Sequence, residues 1–358
     1  MTDNRFRPAP RGRQPAVFGE PILDPAGWSA YDLAGGEDYV YRLDDDEVDE
    51  ILAAVERVEK SGLALKHVSR AQFPLPRFAR VMEQIVKGEM MEGRGFIFLR
   101  GLPAVGLTVS QHAIIQWGLG AYIGRATHQN GRGHLLEHVM NAGGDITMTG
   151  RGYNSPSALG FHADSADAFS LMCIHTAKSG GEHSIVSSVT LYNEMLKRRP
   201  DLVGELAFRF YRTRRGEELP GAEPFQRQPV FSITDGYFAG RSASYTITRA
   251  QKLPGVPPLT DAQQAAIDLY QSLSRELALR IEWQPGDMSF VLNHVSLHAR
   301  TAYEDWPERE RRRHLLRLWL DLAGARPVHA DIAREMTGIT LRPGIEPDIP
   351  LMATPVPK

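Results

Sequence analysis

Apolar positions keep a helical rhythm in the first third of the chain and lose it near residue 158. In "DDDEVDEILAAVERVEKSG", Val48, Ile51, Leu52 and Val55 fall at helical intervals. Acids occupy the first turn, where the positive end of the helix dipole favours them, and Gly62 supplies a stop. "RFARVMEQIVKGEMMEG" and "TVSQHAIIQWGLGAYIG" predict two further helices, so residues 40–125 read as a helical flank. Beyond residue 158 the apolar runs shorten and are punctuated by Gly, Pro and Asp: "AFSLMCIHT", "HSIVSSVT", "PVFSITDGYFAG", "RSASYTITRA", "LRIEWQPGDMSFVLNHVSLHART" and "RRRHLLRLWLDL". Many short strands of this kind predict a jelly-roll sandwich or barrel. Two helices interrupt it, "TLYNEMLKRRPDLVGELAF" and "PLTDAQQAAIDLYQSLSRELALR"; the second opens with Thr260 three residues before Gln263, a capping box. The expected fold class is α+β, mainly β. One domain covers 21–340, with its jelly-roll core at about 95–325. Residues 1–20, rich in arginine and proline, predict a mobile tail, and 341–358 an extended one.

Two polar residues interrupt this pattern in "ALGFHADSADAFSLMCIH", where His162 and Asp164 stand just ahead of a buried run. Residues two apart on a strand share a face, so an imidazole and a carboxylate project side by side, as a divalent metal would require. In "PGDMSFVLNHVSLHARTAYED", a regular strand would put Met288, Phe290, Leu292, His294, Ser296 and His298 on one core-facing side, with His298 at its far end. Two histidines and one carboxylate make the facial triad of non-haem Fe(II) oxygenases, although a Zn(II) hydrolase can use the same groups. "RRRHLLRLWLDL" then places Arg313 and Arg317 on one face and His314, Leu316, Leu318 and Leu320 on the other. An arginine inside a barrel must be paired, and its planar fork suits the carboxylate of a dicarboxylate cosubstrate. The competing readings are a surface arginine at 313 and a structural ion pair at 317.

Together, the HxD at 162–164, "GGEHSIVSS", "GDMSFVLNHVSLHARTAYED" and "RRRHLLRLWLDL" resemble the TauD/TfdA family of Fe(II)- and 2-oxoglutarate-dependent dioxygenases, related to the clavaminate synthase-like enzymes. The resemblance spans roughly residues 95–325. It implies a double-stranded β-helix with flanking helices and Fe(II) held by His162, Asp164 and His298. It also implies 2-oxoglutarate anchored by Arg313, and a substrate anion met by Arg317. O2 would then oxidise a C–H bond with release of succinate and CO2. Hydroxylation is the default outcome, because Asp164 fills the position that related halogenases leave to chloride. The chain departs from the family pattern twice. His294 follows Asn293 where arginine is frequent, and is a substrate-side candidate. The residue after "GGE", often Thr or Ser in the family, is His183, so either His183 or Ser184 completes the cosubstrate clamp. Tyr153 and Asn154, upstream of the HxD, are candidates for substrate contact or for shaping the loop.

The 358 residues are 42% hydrophobic and 23% charged with a net charge of −2, which suits a soluble globular protein and gives no reason to expect nucleic acid. A basic arm at Arg5, Arg7, Arg11 and Arg13 is too sparse to change that expectation. One cysteine, Cys173, fits a reducing compartment, and no apolar stretch suggests a secretory signal or membrane span, so a cytoplasmic location is expected. Self-association is left open. His134 and His138, four apart with Glu137 between them, read as a solvated helix face rather than a second metal site, and His175 as a core histidine. Two other functions use the same residues: a cupin-type barrel that binds metal and ligand without turnover, and a Zn-dependent hydrolase.

Overall fold

The computed structural model describes residues 6–33, 36–144 and 152–352. Two β-sheets face each other. The larger runs in the order Val40–Arg42, Phe96–Arg100, Met288–Leu292, Ala168–His175, His314–Asp321, Arg125–Ala126, with Leu136–Val139 also paired to His314–Asp321. The smaller runs Leu279–Ile281, His183–Ser187, Ser296–Arg300, Leu159–His162. The expected jelly-roll core is thus present.

Alternation along the strands divides the apolar residues into three bodies. Phe169, Leu171, Cys173, Leu315 and Trp319 of the larger sheet meet Ile185, Leu279 and Ile281 of the smaller one in the interior between them. Met172, Met288, Phe290, Leu316, Leu318 and Leu320 point the other way, onto the helices Asp45–Ser61 and Val109–Ile123. Val186 and Leu297, on the outer face of the smaller sheet, pack with Tyr192, Met195, Ile267 and Leu273 of Ser188–Arg198 and Asp261–Leu277. Each large aliphatic or aromatic side chain buried in this way contributes about 1.5–3 kcal/mol, and three such layers can carry the polar groups that the interior also contains.

The helical flank has the three expected helices, and capping boxes close the N-termini at Asp44, Thr108 and Thr260. Three expectations are corrected. The stretch 288–298 is not one strand: Met288–Leu292 belongs to the larger sheet and Ser296–Arg300 to the smaller, and the chain crosses between them at 293–295. His134 and His138 are not on a helix, since Leu136–Val139 is a buried strand. Residues 6–20 do not hang free. Their backbone bonds to buried partners, Ala9 N to Glu89 Oε1 at 2.9 Å and Gly19 N to Tyr192 Oη at 2.7 Å, which holds an irregular segment without secondary structure of its own. The C-terminal segment up to residue 352 turns at Arg342–Ile345, and Leu135 N donates to Asp348 O at 2.8 Å.

The crossover positions the site. Asn293 Oδ1 accepts from Asp164 N at 3.0 Å, and its Nδ2 donates to Ala166 O at 2.9 Å, so one buried amide clamps the loop between two strands. Asn293→Ala strands both backbone groups. The expected cost is about 3 kcal/mol, read as a lower urea midpoint with unchanged m-value.

Candidate active site

His162 and His298 sit directly opposite each other on the antiparallel pair Leu159–His162 and Ser296–Arg300, so both rings leave the same face. Their ring centroids are 4.1 Å apart. With Asp164 they form a set whose ligand atoms all lie within 4.8 Å of one another, the only such group among the described residues. His162 Nδ1 is 2.9 Å from Gly160 O, which makes it the donor and leaves Nε2 with its lone pair. Burial and the neighbouring imidazole push His298 well below its ordinary pKa, and burial lowers His162 as well. Both rings are therefore neutral, the form that binds metal, and the donor set fits Fe(II).

Asp164 is held on both oxygens. Trp319 Nε1 donates to Oδ2 at 2.8 Å, and Arg317 Nη1 lies 3.3 Å from Oδ1. The Arg317 Nε donates to Gln129 Oε1 at 2.8 Å, while the guanidinium lies 4.8 Å from the Tyr153 ring. Across the strand pair from Arg317 stands Glu137. Burial raises its carboxyl, but hydrogen bonds from His134 and Tyr153 and the Arg317 charge outweigh this and hold it below the usual range.

A second cluster forms around Arg313. This residue is buried, lies 5.1 Å over the Tyr303 ring, and its Nη1 has no hydrogen-bond partner among the described residues. Gly181, at φ +76°, makes room for it, since a Cβ there would sit 3.1 Å from Arg313 Nε. Arg313, Trp283, Cys173 and Ile281 border a cavity of about 270 Å³. His183 is inward too, opposite Arg300 and 5.6 Å from the His298 ring by centroids. Trp283 Nε1 donates to His183 Nδ1 at 3.0 Å, so the proton of this imidazole sits on Nε2. Burial, reinforced by the Arg313 charge, pushes its pKa down to about 3.

Two expected site residues lie elsewhere. Ser184 faces outward, beside Arg280 in a separate cavity of about 870 Å³ on the outer face of the smaller sheet. His294 points away from the metal ligands, with its Nε2 2.9 Å from Asp167 Oδ1, because the crossover turns it into the loop. Tyr153 is buried against Arg317, whereas Asn154 offers its carbonyl to Ala142 N and Gly144 N, a loop-shaping contact. Sequence reasoning missed Trp319, Gln129, Trp283 and Arg300. Trp319 was reachable, because it shares the strand face of Arg317. A lining of arginines at 212, 215 and 241 beside His162 and Asp164 carried no pattern in the sequence.

Known proteins resemble this chain in sequence and in fold. A 29% identical relative, the FR-33289 synthase of Streptomyces rubellomurinus, aligns over 90% of this chain and 97% of its own. A taurine hydroxylase-like protein of Stachybotrys chartarum is 28% identical over 83% of this chain and 79% of its own. Among solved structures, asparagine oxygenase with Fe(II), 3-hydroxyasparagine and succinate superposes with a TM-score of 0.59 at 17% identity, covering 79% of this chain and 93% of that one. The non-heme iron oxygenase OrfP with Fe and α-ketoglutaric acid gives 0.58 at 14%, covering 79% and 94%. These two share the fold. The model of the taurine catabolism dioxygenase family matches residues 59–319, and the chain belongs to this TauD/TfdA family.

Proposed function

We propose that this protein is an Fe(II)- and 2-oxoglutarate-dependent dioxygenase that hydroxylates a C–H bond of a small organic anion, releasing succinate and CO2. The observation that carries the reading is the pairing of the triad with a buried, incompletely bonded Arg313 in the same interior. His162, Asp164 and His298 would hold the iron, which supplies the O2 chemistry that couples decarboxylation of the oxo acid to oxidation of the substrate. Arg313 takes the distal carboxylate of 2-oxoglutarate, and the Nε2–H of His183 donates where relatives use a hydroxyl. Trp319 and Arg317 orient the Asp164 carboxylate. The apolar walls at Phe169, Leu171 and Ile185 keep water out. Hydroxylation is supported by the hydroxylated amino acids bound in asparagine oxygenase and OrfP. A metal-binding barrel without turnover leaves the Arg313 arrangement without purpose, and a Zn hydrolase has no use for it. No helix among the described residues is long and apolar enough to cross a membrane. A cytoplasmic setting is supported by the single buried thiol, Cys173.

Succinate release that requires Fe(II), O2 and 2-oxoglutarate, and falls to background in His162→Ala, is the primary test. Its absence in the wild-type protein across a library of small anions would defeat the proposal. Trp319→Phe keeps the ring and removes one bond to Asp164; metal affinity, titrated anaerobically, should fall about 10- to 100-fold. His183→Leu should raise KM for 2-oxoglutarate about 10-fold with a smaller change in kcat, and His183→Gln should recover part of the loss through its amide N–H.

A further inference from the structure

Beside the triad lies a small pocket of about 50 Å³, bordered by His162, Asp164 and three arginines, Arg212, Arg215 and Arg241. Arg212 and Arg241 are only 4% and 3% exposed. Their existing bonds leave capacity unused. Arg212 Nη2 donates to Ser242 O at 2.7 Å and Nη1 to Thr246 Oγ1 at 3.4 Å, but Nε has no partner among the described residues. Arg241 Nη2 reaches Asp164 O at 3.1 Å and Glu335 Oε2 at 3.4 Å, but Nη1 has none. Arg215 Nη1 reaches Tyr245 Oη at 3.4 Å, its Nη2 stands 3.9 Å from Glu217, and its Nε is likewise unbonded.

Buried cations are costly unless answered by anions. Apart from Asp164, the proposed metal ligand, three guanidinium groups are answered by two carboxylates, Glu335 in the lining and Glu217 at 3.9 Å from Arg215 Nη2. Glu335 is itself bonded by Gln228 and by Ser165 Oγ at 3.2 Å. Burial is what pushes Arg212 down to about 10; Glu335 works against it and Arg241 with it. Arg215 adds a backbone signal. It has φ +62°, one of two non-glycine residues among those described with a left-handed backbone. Strain of this kind persists where surroundings fix it and clusters at ligand-holding positions.

Arg317 also has one unbonded nitrogen, Nη2, but its Nε and Nη1 serve Gln129 and Asp164, so alone it offers a substrate anion no free fork. A planar carboxylate is satisfied by one arginine fork. Three guanidinium groups around one small pocket suit a group with three outward oxygens and two negative charges. We propose that Arg212, Arg215 and Arg241 form a subsite for a tetrahedral dianion, the phosphonate or phosphate monoester end of the substrate, and so present the attached carbon chain to the metal. The word substrate here rests on the oxygenase reading; the anion subsite does not.

Calorimetry on the metal-free protein with inorganic phosphate, methyl phosphate, methylphosphonate and acetate tests the subsite. Arg215→Asn is the informative variant, because asparagine tolerates a left-handed backbone while the guanidinium is lost. The phosphorus oxyanions should bind at least about 10-fold more tightly than acetate, and Arg215→Asn should weaken them by a similar factor at unchanged Tm. A preference between methyl phosphate and methylphosphonate distinguishes the two sources of the group. Acetate binding as tightly as phosphate, or phosphate binding that ignores Arg215→Asn and Arg241→Gln alike, would overturn the proposal. Iron-dependent turnover of 2-oxoglutarate by the wild-type protein, assayed in parallel, reports on the oxygenase reading separately.

Discussion

The site depends on one buried amide. Asn293 sits where the chain leaves the larger sheet for the smaller, and its two bonds tie the loop after His162 to that crossover. His298 follows five residues later on the strand that pairs with His162, so the same turn sets both the loop carrying Asp164 and the register of the two histidines. His294 completes the brace through Asp167, whose other oxygen accepts from Leu322 N at 2.9 Å and so joins the end of the arginine strand. Three distant segments thereby share one polar knot. In a low-dielectric interior such a knot is stable only when its members are satisfied together.

Around this knot the interior is organised by charge. Cations predominate, at Arg212, Arg241, Arg300, Arg313 and Arg317, all buried. The imidazoles near them are neutral, as their lowered pKa values require. Neutral histidines separate the guanidinium groups without adding to their repulsion, and aromatic faces at Tyr303, Tyr153 and Trp319 lie under three of them, Arg300, Arg313 and Arg317. What remains unanswered is positive, and an interior of this kind favours anionic ligands over neutral ones.

Much of this was legible in the sequence, where periodicity and chemistry coincide. The helices before residue 125 follow from spacing and caps. His162, Asp164 and His298 follow from motif order; strand periodicity does not place them, since Asp164 lies in the loop after Leu159–His162 and His298 on a different strand from Met288–Leu292. Arg317 and its inward face follow from the leucines at 316, 318 and 320, which turn outward. The failures have physical causes. His294 was misplaced because the reading assumed an unbroken strand, and a change of sheet leaves no mark in local hydrophobicity. His134 and His138 looked helical because buried polar positions on a short strand mimic a four-residue repeat. Arg212, Arg215 and Arg241 come from two separate segments that only tertiary contact brings together, so no spacing rule could join them to the HxD. Ser184 and His183 could be told apart only by knowing which face of their strand is inward.

The crossover at 293–295 has a consequence for how the protein is made. The strands bearing His162 and His298 are neighbours in space, yet more than a third of the chain lies between them, so their pairing closes a long loop and must wait for much of the intervening chain to settle. An ion shared by both strands would lock that closure from inside, in the manner of a clasp. Iron supply would then govern the lifetime of the folded chain as well as its chemistry, because an ion that binds only the folded form draws the equilibrium toward it.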